Sequence, residues 1–373
     1  MSQARIVVAV CAVMNLVPLA CVAMTFTVTD LGTLGGSQSF ATAVNSAGKV
    51  VGYSYPPGDS SYHAFLYDGV MHDLGTFGGT TSEAYGINDK GQVSGSALTS
   101  GNASGRAFLY DGVMHDLGTL GGLSSSGYGI NSNGVVTGHA NANSGTHAFV
   151  YDGTMHDLGT LGGSVSIGYG INSNGWVTGD SYPFGDSGYR AFLYDGTMHD
   201  LGTLGGATAD AFGINEKGQV VGRADRNLGW HAFLYDGTMH DLGSLGGLYS
   251  SAFGINAGGQ VTGWSTVLGN NSAQHAFLYD IIHGMVDLNS EISSTSGWVL
   301  QWGYAINDSG QVVGQGLIGG QMHGFLLTPV PEPSTFILLA FGSVAVCFYV
   351  RRTAIRQHQS CLTMRRTWRS LEI

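Results

Sequence analysis

Short stretches of alternating apolar and polar residues, separated by glycine-containing turns, recur along most of this chain. Alternation with a period of two predicts β-strands, because neighbouring side chains in a strand point to opposite faces. The block HAFLYDG, with small changes, begins at seven positions: His63, Arg106, His147, Arg190, His231, His275 and His323. Successive starts lie 43, 41, 43, 41, 44 and 48 residues apart. Such a period is typical of a unit of four short strands, so the pattern predicts an all-β repeat domain.

The stretch around the block at His231 shows the four strands most clearly. The apolar positions predict strands at Ala211–Asn215, Gln219–Gly222, His231–Tyr235 and Thr238–Gly243. Asp236-Gly237 separates the last two strands, and this dipeptide is a strong signal for a two-residue hairpin turn. Glycine-rich segments then connect each unit to the next.

Two further motifs occur seven times each and indicate how the domain closes. One motif pairs an aliphatic residue with asparagine, at Asn45, Asn88, Asn131, Asn172, Asn215, Asn256 and Asn307. The other pairs aspartate with leucine, at Asp30, Asp73, Asp116, Asp157, Asp200, Asp241 and Asp287. The strand at Asp30 has no partner before it, and the strand His323–Leu327 has none after it. We therefore predict that residues 25–328 form a seven-bladed β-propeller of four-stranded blades, closed by the N- and C-terminal strands. An open β-solenoid is the alternative.

The first 23 residues have the features of a signal peptide. Arg5 supplies a positive start, Ile6–Leu19 is mostly apolar, and small residues lead to a predicted cleavage after Ala23. Cys21 leaves a lipoprotein open as an alternative, but Pro18 stands where such a signal usually has a leucine-like residue. Export is predicted by either interpretation.

The C-terminal region contains three features in sequence. Val330, Pro331, Glu332, Pro333 and Ser334 precede an apolar run at residues 336–350, and Arg351 and Arg352 follow it directly. The apolar run predicts a transmembrane helix, and the arginines predict that residues 353–373 form a basic cytoplasmic tail. A plain membrane anchor would share the helix and the arginines, so only the Pro-Glu-Pro motif distinguishes a sorting signal from an anchor.

These motifs resemble two known families. Residues 329–352 resemble the PEP-CTERM sorting signal, which implies recognition by an exosortase in a bacterium that produces exopolysaccharide. Processing enzymes of that type usually act on chains that end soon after the arginines, whereas this chain continues to Ile373. The phrases HAFLYDG and DLGTLGG resemble the HAF repeats of extracellular bacterial proteins, which implies an exported repeat protein and transfers no catalytic residues.

Charge and cysteine content exclude several classes of function. Between Thr25 and Val330 there are 23 acidic and 7 basic residues, and an acidic domain repels the phosphates of nucleic acids. The four cysteines lie outside this domain, at Cys11, Cys21, Cys347 and Cys361. The domain therefore has no disulfide and no cysteine-based metal site or nucleophile. We predict no cofactor.

Two repeated polar motifs were weighed as metal sites. Adjacent histidine and aspartate residues recur at His72-Asp73, His115-Asp116, His156-Asp157, His199-Asp200 and His240-Asp241. Neighbouring strand residues point to opposite faces, so a structural role is favoured over a ring of metal ligands. The loops at Asn131–Gly134 and Asn307–Gly310 have oxygen ligands that suit calcium, but asparagine and glycine are also what tight turns need. We predict no metal site.

The least repetitive stretches are predicted to be loops and are the remaining candidates for ligand contacts. They carry Tyr62, Tyr182, Trp230 and Trp298, whose rings either stack on sugars or cover neighbouring blades. We predict a noncatalytic cell-surface or biofilm-matrix protein that binds exopolysaccharide or surface proteins. Two alternatives remain, a membrane-anchored ligand-binding propeller and an extracellular enzyme that acts on glycan through carboxylates such as Asp186 or Glu291.

Overall fold

The computed structural model describes residues 25–331, apart from residues 144 and 227. It contains 28 β-strands and two short 3₁₀ helices, Ser100–Asn102 and Leu288–Ser290. The prediction of an all-β fold is confirmed. Within the described residues, no helix has the length and apolar character needed to cross a bilayer. The transmembrane helix predicted at 336–350 lies outside the described residues, as do the signal peptide and the basic tail.

The strands form seven antiparallel units of four, numbered here in chain order, and one parallel bridge between Thr146 and Val165 joins units 3 and 4 into a single eight-stranded sheet. The first strand, β1 (Phe26–Asp30), belongs to the last unit. Unit 1 contains β2 (Ser39–Val44), β3 (Val50–Ser54), β4 (His63–Tyr67) and β5 (Met71–Asp73). Unit 2 contains β6 (Gly78–Ile87), β7 (Val93–Thr99), β8 (Gly105–Tyr110) and β9 (Met114–Asp116). Unit 3 contains β10 (Gly121–Ile130), β11 (Val136–Ala142), β12 (Gly145–Tyr151) and β13 (Met155–Asp157).

Units 4 to 6 repeat this order. Unit 4 contains β14 (Gly162–Ile171), β15 (Val177–Pro183), β16 (Arg190–Tyr194) and β17 (Met198–Asp200). Unit 5 contains β18 (Ala209–Ile214), β19 (Val220–Arg226), β20 (Gly229–Tyr235) and β21 (Met239–Gly243). Unit 6 contains β22 (Gly246–Ile255), β23 (Val261–Val267), β24 (Asn270–Asp280) and β25 (Gly284–Asp287). The four strands of unit 5 match those predicted from the sequence to within a few residues at each end.

Unit 7 combines strands from both ends of the domain. It contains β26 (Trp298–Ile306), β27 (Val312–Ile318), β28 (Gln321–Pro329) and β1. The register places Phe26 opposite Pro329 and Asp30 opposite Phe325. This is the pairing that the phase of the repeats predicts, and it covers strand edges that would otherwise be exposed.

The phenylalanine of each repeated block forms the core. All seven are fully buried, at Phe65, Phe108, Phe149, Phe192, Phe233, Phe277 and Phe325. Each packs between its own unit and a neighbour, as Phe108 of unit 2 does in a cluster with Val51 and Ala64 of unit 1. Burying one such side chain contributes roughly 1.5–3 kcal/mol. Apolar contacts between units therefore hold the domain together.

A glycine on the second strand of each unit makes room for this ring. A Cβ atom at Gly222 would overlap the carbonyl oxygen of Asp210 and would lie 2.8 Å from the Phe233 ring. The equivalent glycines are Gly52, Gly95, Gly138, Gly179, Gly263 and Gly314. The backbone of the first strand lies close to this glycine, and at Gly222 so does the phenylalanine ring of the third strand, which explains why the repeated pattern has glycine there.

Hydrogen bonds also join neighbouring units. The Ser82 hydroxyl of unit 2 accepts from the Ala64 amide of unit 1 at 2.9 Å and donates to the Gly75 carbonyl at 2.5 Å. The Asp73 carboxylate accepts from the Gly75 amide at 2.8 Å, and Gly75 has a positive φ of 77°. The Asp-Leu-Gly motif is therefore a turn that leads the chain into the next unit.

Candidate ligand site in the central cavity

The innermost strands of all seven units line one central cavity of about 460 Å³. These strands are β2, β6, β10, β14, β18, β22 and β26. Pockets that bind small molecules usually measure about 300–1,000 Å³. The cavity is therefore large enough to hold a ligand.

The asparagines of the seven repeats lie at one end of the cavity and form what we call the asparagine ring. The side-chain amide of each asparagine donates to the backbone carbonyl of the asparagine in the next unit, with N–O distances of 2.9 to 3.2 Å. The bond from Asn307 goes to the carbonyl of Asn45, so the circuit returns to the first unit. The same asparagines are 2 to 7% exposed.

The remaining oxygen of each asparagine side chain is also occupied. Asn131 Oδ1 accepts from the amides of Asn133 and Val135, both at 3.0 Å, and Asn307 Oδ1 accepts from two equivalent amides. Its amide group donates to the next unit, so the side chain has no oxygen left for an ion. These contacts favour the turn interpretation of the two loops over the calcium interpretation.

Aromatic side chains line the middle of the cavity and form the aromatic band. Six units contribute one ring each, from Tyr85, Tyr128, Tyr169, Phe212, Phe253 and Tyr304, and unit 1 contributes Thr42. Neighbouring rings are 4.9 to 5.4 Å apart between centroids. All six are half-buried, so part of each ring faces the cavity.

Beyond the aromatic band, the innermost strands and their neighbours carry a set of residues that differs from unit to unit, and we call this set the variable band. On the first strand of each unit, its residue precedes the aromatic-band residue by two positions, which is about 7 Å along the strand. The other residue of each pair is the cross-strand partner on the second strand. The seven cross-strand pairs are Phe40–Tyr53, Glu83–Ser96, Ser126–His139, Ile167–Asp180, Asp210–Arg223, Ser251–Trp264 and Trp302–Gln315. Phe40 and Tyr53 line the cavity itself.

A partly buried ion pair belongs to the variable band. Arg223 Nε lies 2.6 Å from Asp210 Oδ2, and the guanidinium also stands 5.3 Å from the ring centroid of Trp230. Asp180 of the neighbouring unit is 7% exposed. Burial, together with the charge of Asp210, raises the pKa of Asp180 to about 7. Burial likewise raises the pKa of Glu83.

The phenols of the aromatic band lie close enough to these carboxylates to respond to their charge. Burial raises the pKa of Tyr128 to about 12, and the charges of Glu83 and Asp180 add to this effect. The pKa of Tyr169 is raised by burial and then by Asp180. The carboxyl groups of Glu83 and Asp180 therefore lie near the phenols of the aromatic band.

Some polar atoms near the variable band have no partner. Among the described residues, His139 Nδ1, Ser251 Oγ and Trp230 Nε1 are buried without a hydrogen bond. Burial lowers the pKa of His139, which favours the neutral imidazole. Buried polar atoms are nearly always paired in folded proteins, so unpaired ones point to a missing water or ligand.

The repeated histidine-aspartate pairs lie on the outermost strands, away from the cavity. His72 Nε2 contacts Asp68 at 2.9 Å, whereas Asp73 contacts His63 Nδ1 at 2.8 Å. Adjacent residues thus serve different partners, as expected from opposite faces of a strand. Among the described residues, no three histidine, cysteine, aspartate or glutamate side chains are grouped to hold a metal ion.

The aromatic residues predicted as loop contacts have different environments. The assignment of Trp298 to a loop was wrong, because it begins β26, is buried and packs edge-on against Phe325. Trp230 lies in β20 and Tyr182 in β15, so their assignment to loops was also wrong. The centroid of the Trp230 ring lies 4.4 Å from that of Tyr249 in the next unit, with the planes tilted by 40°, which matches the covering role. Tyr62 and Tyr182 are half-buried.

The two carboxylates considered for catalysis take part in local structure. Asp186 accepts from the Ser164 amide at 2.9 Å and has a positive φ of 48°, as expected of a turn residue. Glu291 accepts from the Ser290 hydroxyl at 2.8 Å. Sequence reasoning missed the variable band because it searched the loops. Aligning the seven repeats on their asparagines would have revealed it.

The sorting motif is only partly within the described residues. Val330 is 43% exposed, and Pro331 is the last described residue. Glu332, Pro333, Ser334, Arg351, Arg352 and the predicted cleavage site at Ala23 lie outside. Their roles in sorting and cleavage stay predictions.

Comparison with known families identifies the C-terminal segment. Residues 329–352 match the model of the PEP-CTERM protein-sorting motif, so the prediction of this signal is confirmed. The motif implies that the protein is exported and sorted to the cell surface by an exosortase. No curated protein matches the sequence of the chain.

Several solved structures have a distantly similar fold. The β-propeller domain of the Trilobed protease from Pyrococcus furiosus aligns with a TM-score of 0.49 at 9% identity, over 78% of this chain and 93% of that one. TolB from Acinetobacter baumannii aligns at 0.46 and 12%, over 76% of this chain and 64% of its own length. Trypanosoma rangeli sialidase aligns at 0.40 and 12%, over 84% and 60%. These similarities assign no activity to this chain.

Proposed function

We propose that this chain is an exported, noncatalytic binding protein of the cell surface or extracellular matrix. The match of residues 329–352 to the PEP-CTERM motif carries the proposal, because that motif implies sorting by an exosortase. The domain that is sorted is a closed seven-bladed β-propeller in this proposal. The pairing of β1 with β28 and the circuit of asparagine bonds support closure.

The cavity supports binding as the task of the propeller. It is lined by half-buried rings, and its partners are exopolysaccharide or surface proteins in this proposal. Asp186 and Glu291 are engaged in local contacts, which disfavours the glycan-processing enzyme that would use them. The raised pKa of Asp180 is the observation that favours an enzyme, because a carboxyl with a pKa of about 7 suits general acid–base catalysis.

The first test concerns sorting. In the native host, Pro331, Glu332 and Pro333 are all replaced by alanine, and a control variant carries Pro56→Ala and Pro57→Ala in a surface loop. Intact mass and cell fractionation are measured together. We expect the wild type and the control to lose the C-terminal segment and to reach the surface or medium, while the motif variant retains the segment in the membrane fraction.

An uncleaved, membrane-held product that is indifferent to the motif substitutions would contradict sorting. The chain would then be a plain membrane-anchored propeller. The surface-loop control separates loss of the motif from a general effect of removing prolines.

A further inference from the structure

We propose that the domain rests on the surface of the lipid bilayer with the end that carries the asparagine ring, for as long as the sorting segment holds the chain there. This inference rests on the proposed function, in which sorting takes place at the membrane, and it names the partner of one face of the domain. It is argued from exposed apolar residues, from the place where the chain leaves the domain and from the length of chain that follows.

Two kinds of connection form one face of the domain, which we call the exit face. They are the turns of the asparagine ring and the tips of the hairpins that join the third and fourth strands. Lys49 Nζ, in such a turn, lies 3.7 Å from Asp68 Oδ2 at a hairpin tip. Unit 7 has no such hairpin, because β28 ends at Pro329, and a Cβ atom on Gly310 of its asparagine turn would lie 3.3 Å from Pro329. The chain therefore leaves the domain at the exit face and continues into the sorting motif.

Four exposed apolar residues lie on this face, and we call them the apolar arc. Val70 and Val113 end the hairpin tips of units 1 and 2 and are 65% and 63% exposed. The tip of unit 6 is longer, because five residues rather than three separate its paired tyrosine and methionine. It presents Ile281 and Ile282, which are 88% and 80% exposed and share a surface cleft with Ala257 of an asparagine turn. The residues that match Val70 in units 3, 4 and 5 are Thr154, Thr197 and Thr238.

The apolar arc lies on both sides of the place where the chain leaves. Unit 7 is joined to unit 6 through the side chain of Asn256 and to unit 1 through that of Asn307. The units with apolar tips are therefore its neighbours, and the threonine tips belong to the remaining units. There the hydroxyl is hydrogen-bonded, as Thr154 Oγ1 is to His156 at 2.9 Å. Single exposed apolar residues need no explanation, but several on neighbouring units mark an interaction surface.

The length of the chain after β28 favours the bilayer as the partner. Six residues separate Pro329 from the apolar run at 336–350, which is predicted to cross the membrane. Six extended residues span at most about 22 Å. The seven residues of β20 alone span about 23 Å, and the loops at both ends add to this depth. The connection is therefore too short for the opposite face, where Leu228 and Leu268 are exposed, to turn onto the bilayer.

The charge of the exit face indicates which lipids suit it. Asp89, Glu216 and Asp308 lie in its asparagine turns, and each hairpin tip begins with an aspartate, so acidic residues outnumber its three lysines. Carboxylates repel anionic headgroups, whereas apolar side chains enter the boundary between headgroups and acyl chains of any lipid. We therefore expect contact with zwitterionic lipid. In this orientation the variable band lies at the end of the domain that faces away from the bilayer.

The test uses a fluorescent label at single positions of the full chain, reconstituted in phosphatidylcholine vesicles. The four native cysteines are first replaced by alanine. Separate variants then carry Val113→Cys or Ile282→Cys in the apolar arc, or Leu228→Cys on the opposite face as the control, each labelled with an NBD group. Vesicles are isolated by flotation, and quenching by a lipid with a nitroxide just below the headgroup is measured. We expect fluorescence to fall at least about twofold at the two arc positions and to stay unchanged at the control.

A second set of variants separates contact from mere proximity. The variant Val70→Thr, Ile281→Thr and Ile282→Thr gives units 1 and 6 the threonine of other units, while the label stays at Val113→Cys. We expect quenching to fall by about half or more, because less apolar surface enters the bilayer. The matched variant Leu228→Thr and Leu268→Thr changes the opposite face and should leave quenching unchanged. Circular dichroism during heating checks that all variants are folded.

Equal quenching at Val113→Cys and Leu228→Cys would overturn the inference, and so would quenching that the threonine variant of the arc retains in full. An equal loss in the matched variant of the opposite face would also overturn it. These results leave sorting untouched, because mass and fractionation measure it separately. A chain that does not float with the vesicles at all would contradict both this inference and the membrane step of the proposed function.

Discussion

The asparagine ring and the variable band lie towards opposite ends of the same seven innermost strands, yet only the asparagine ring is uniform. At the asparagine ring, every unit presents the same side chain, which donates to the next unit and accepts from the amide four residues later in its own turn. At the variable band, five residues earlier on the strand, no two units present the same pair. The residues of the asparagine ring stabilise the fold, whereas those of the variable band differ among the units.

The reason is reciprocity between neighbours. Each asparagine donates to a carbonyl in the next unit and caps its own turn, so a change in one unit breaks contacts in two. Residues of the variable band do not form such a repeated circuit of hydrogen bonds between units. Asp210 and Arg223 pair within their own unit, and the neighbouring unit places Asp180 beside them.

The largest loss of stability is expected at a repeated glycine whose neighbours leave no space for a side chain. Gly138→Ala in unit 3 places a Cβ atom on the carbonyl oxygen of Ser126, which is backbone and cannot move aside. We expect the free energy of unfolding to fall by about 3 kcal/mol or more. Urea unfolding followed by tryptophan fluorescence measures it, with Gly105→Ala as the control, because a Cβ atom there would lie 3.9 Å from the nearest atom, the Ser125 carbonyl oxygen. Equal effects in the two variants would contradict crowding as the cause.

A smaller loss of stability is expected when Asn131, the residue that follows β10, is replaced. Ser126 lies in β10 itself and serves for comparison. Asn131→Ala removes the acceptor for two amides and the bond to Asn172, and each unpaired buried group costs about 1–3 kcal/mol. We expect a loss of about 2–4 kcal/mol in unfolding free energy. Ser126→Ala in the variable band is the matched variant, with a change within about 0.5 kcal/mol. Equal losses of unfolding free energy in the two variants would contradict the distinction between the asparagine ring and the variable band.

The smallest effect is a change in pH dependence. Because the pKa of Asp180 is raised to about 7 by burial and Asp210, the folded state binds a proton that the unfolded state releases near pH 4. Its contribution to stability is therefore present at low pH and is lost as pH rises towards 7. Asp180→Asn removes this loss, so the variant should gain stability over the wild type between about pH 4 and 7.

Unfolding at several pH values in this range measures the difference. Tyr169, Asp210 and Arg223 act on Asp180 and are present in both proteins, so their own titration cancels in part. A constant difference from pH 4 to 7 would show that Asp180 titrates like an exposed carboxyl.

The repeats made much of the fold predictable. Period-two alternation located the strands of unit 5, and the phase of the motifs predicted that β1 pairs with β28. Trp298 was misplaced because the irregular segment after β25 is followed by a strand whose start has no repeated motif. The sorting motif was recognisable because its three features are contiguous in sequence.

The site was not predictable in the same way. Ser126 and His139 are thirteen residues apart, and nothing in their types marks them as neighbours, because pairing across a sheet depends on register. The proximity of Asp180 to Asp210 depends on packing between units. Both relations arise from folding rather than from local pattern.

The sequence by itself determined the strands, the turns and the sorting signal, because alternation, glycine placement and contiguous motifs act over a few residues. The tertiary structure alone decided that seven asparagines share one circuit and that Asp180 lies beside Asp210 of the neighbouring unit. Those arrangements bring together residues some thirty positions or more apart, whose contacts exist only once the units pack around a common centre.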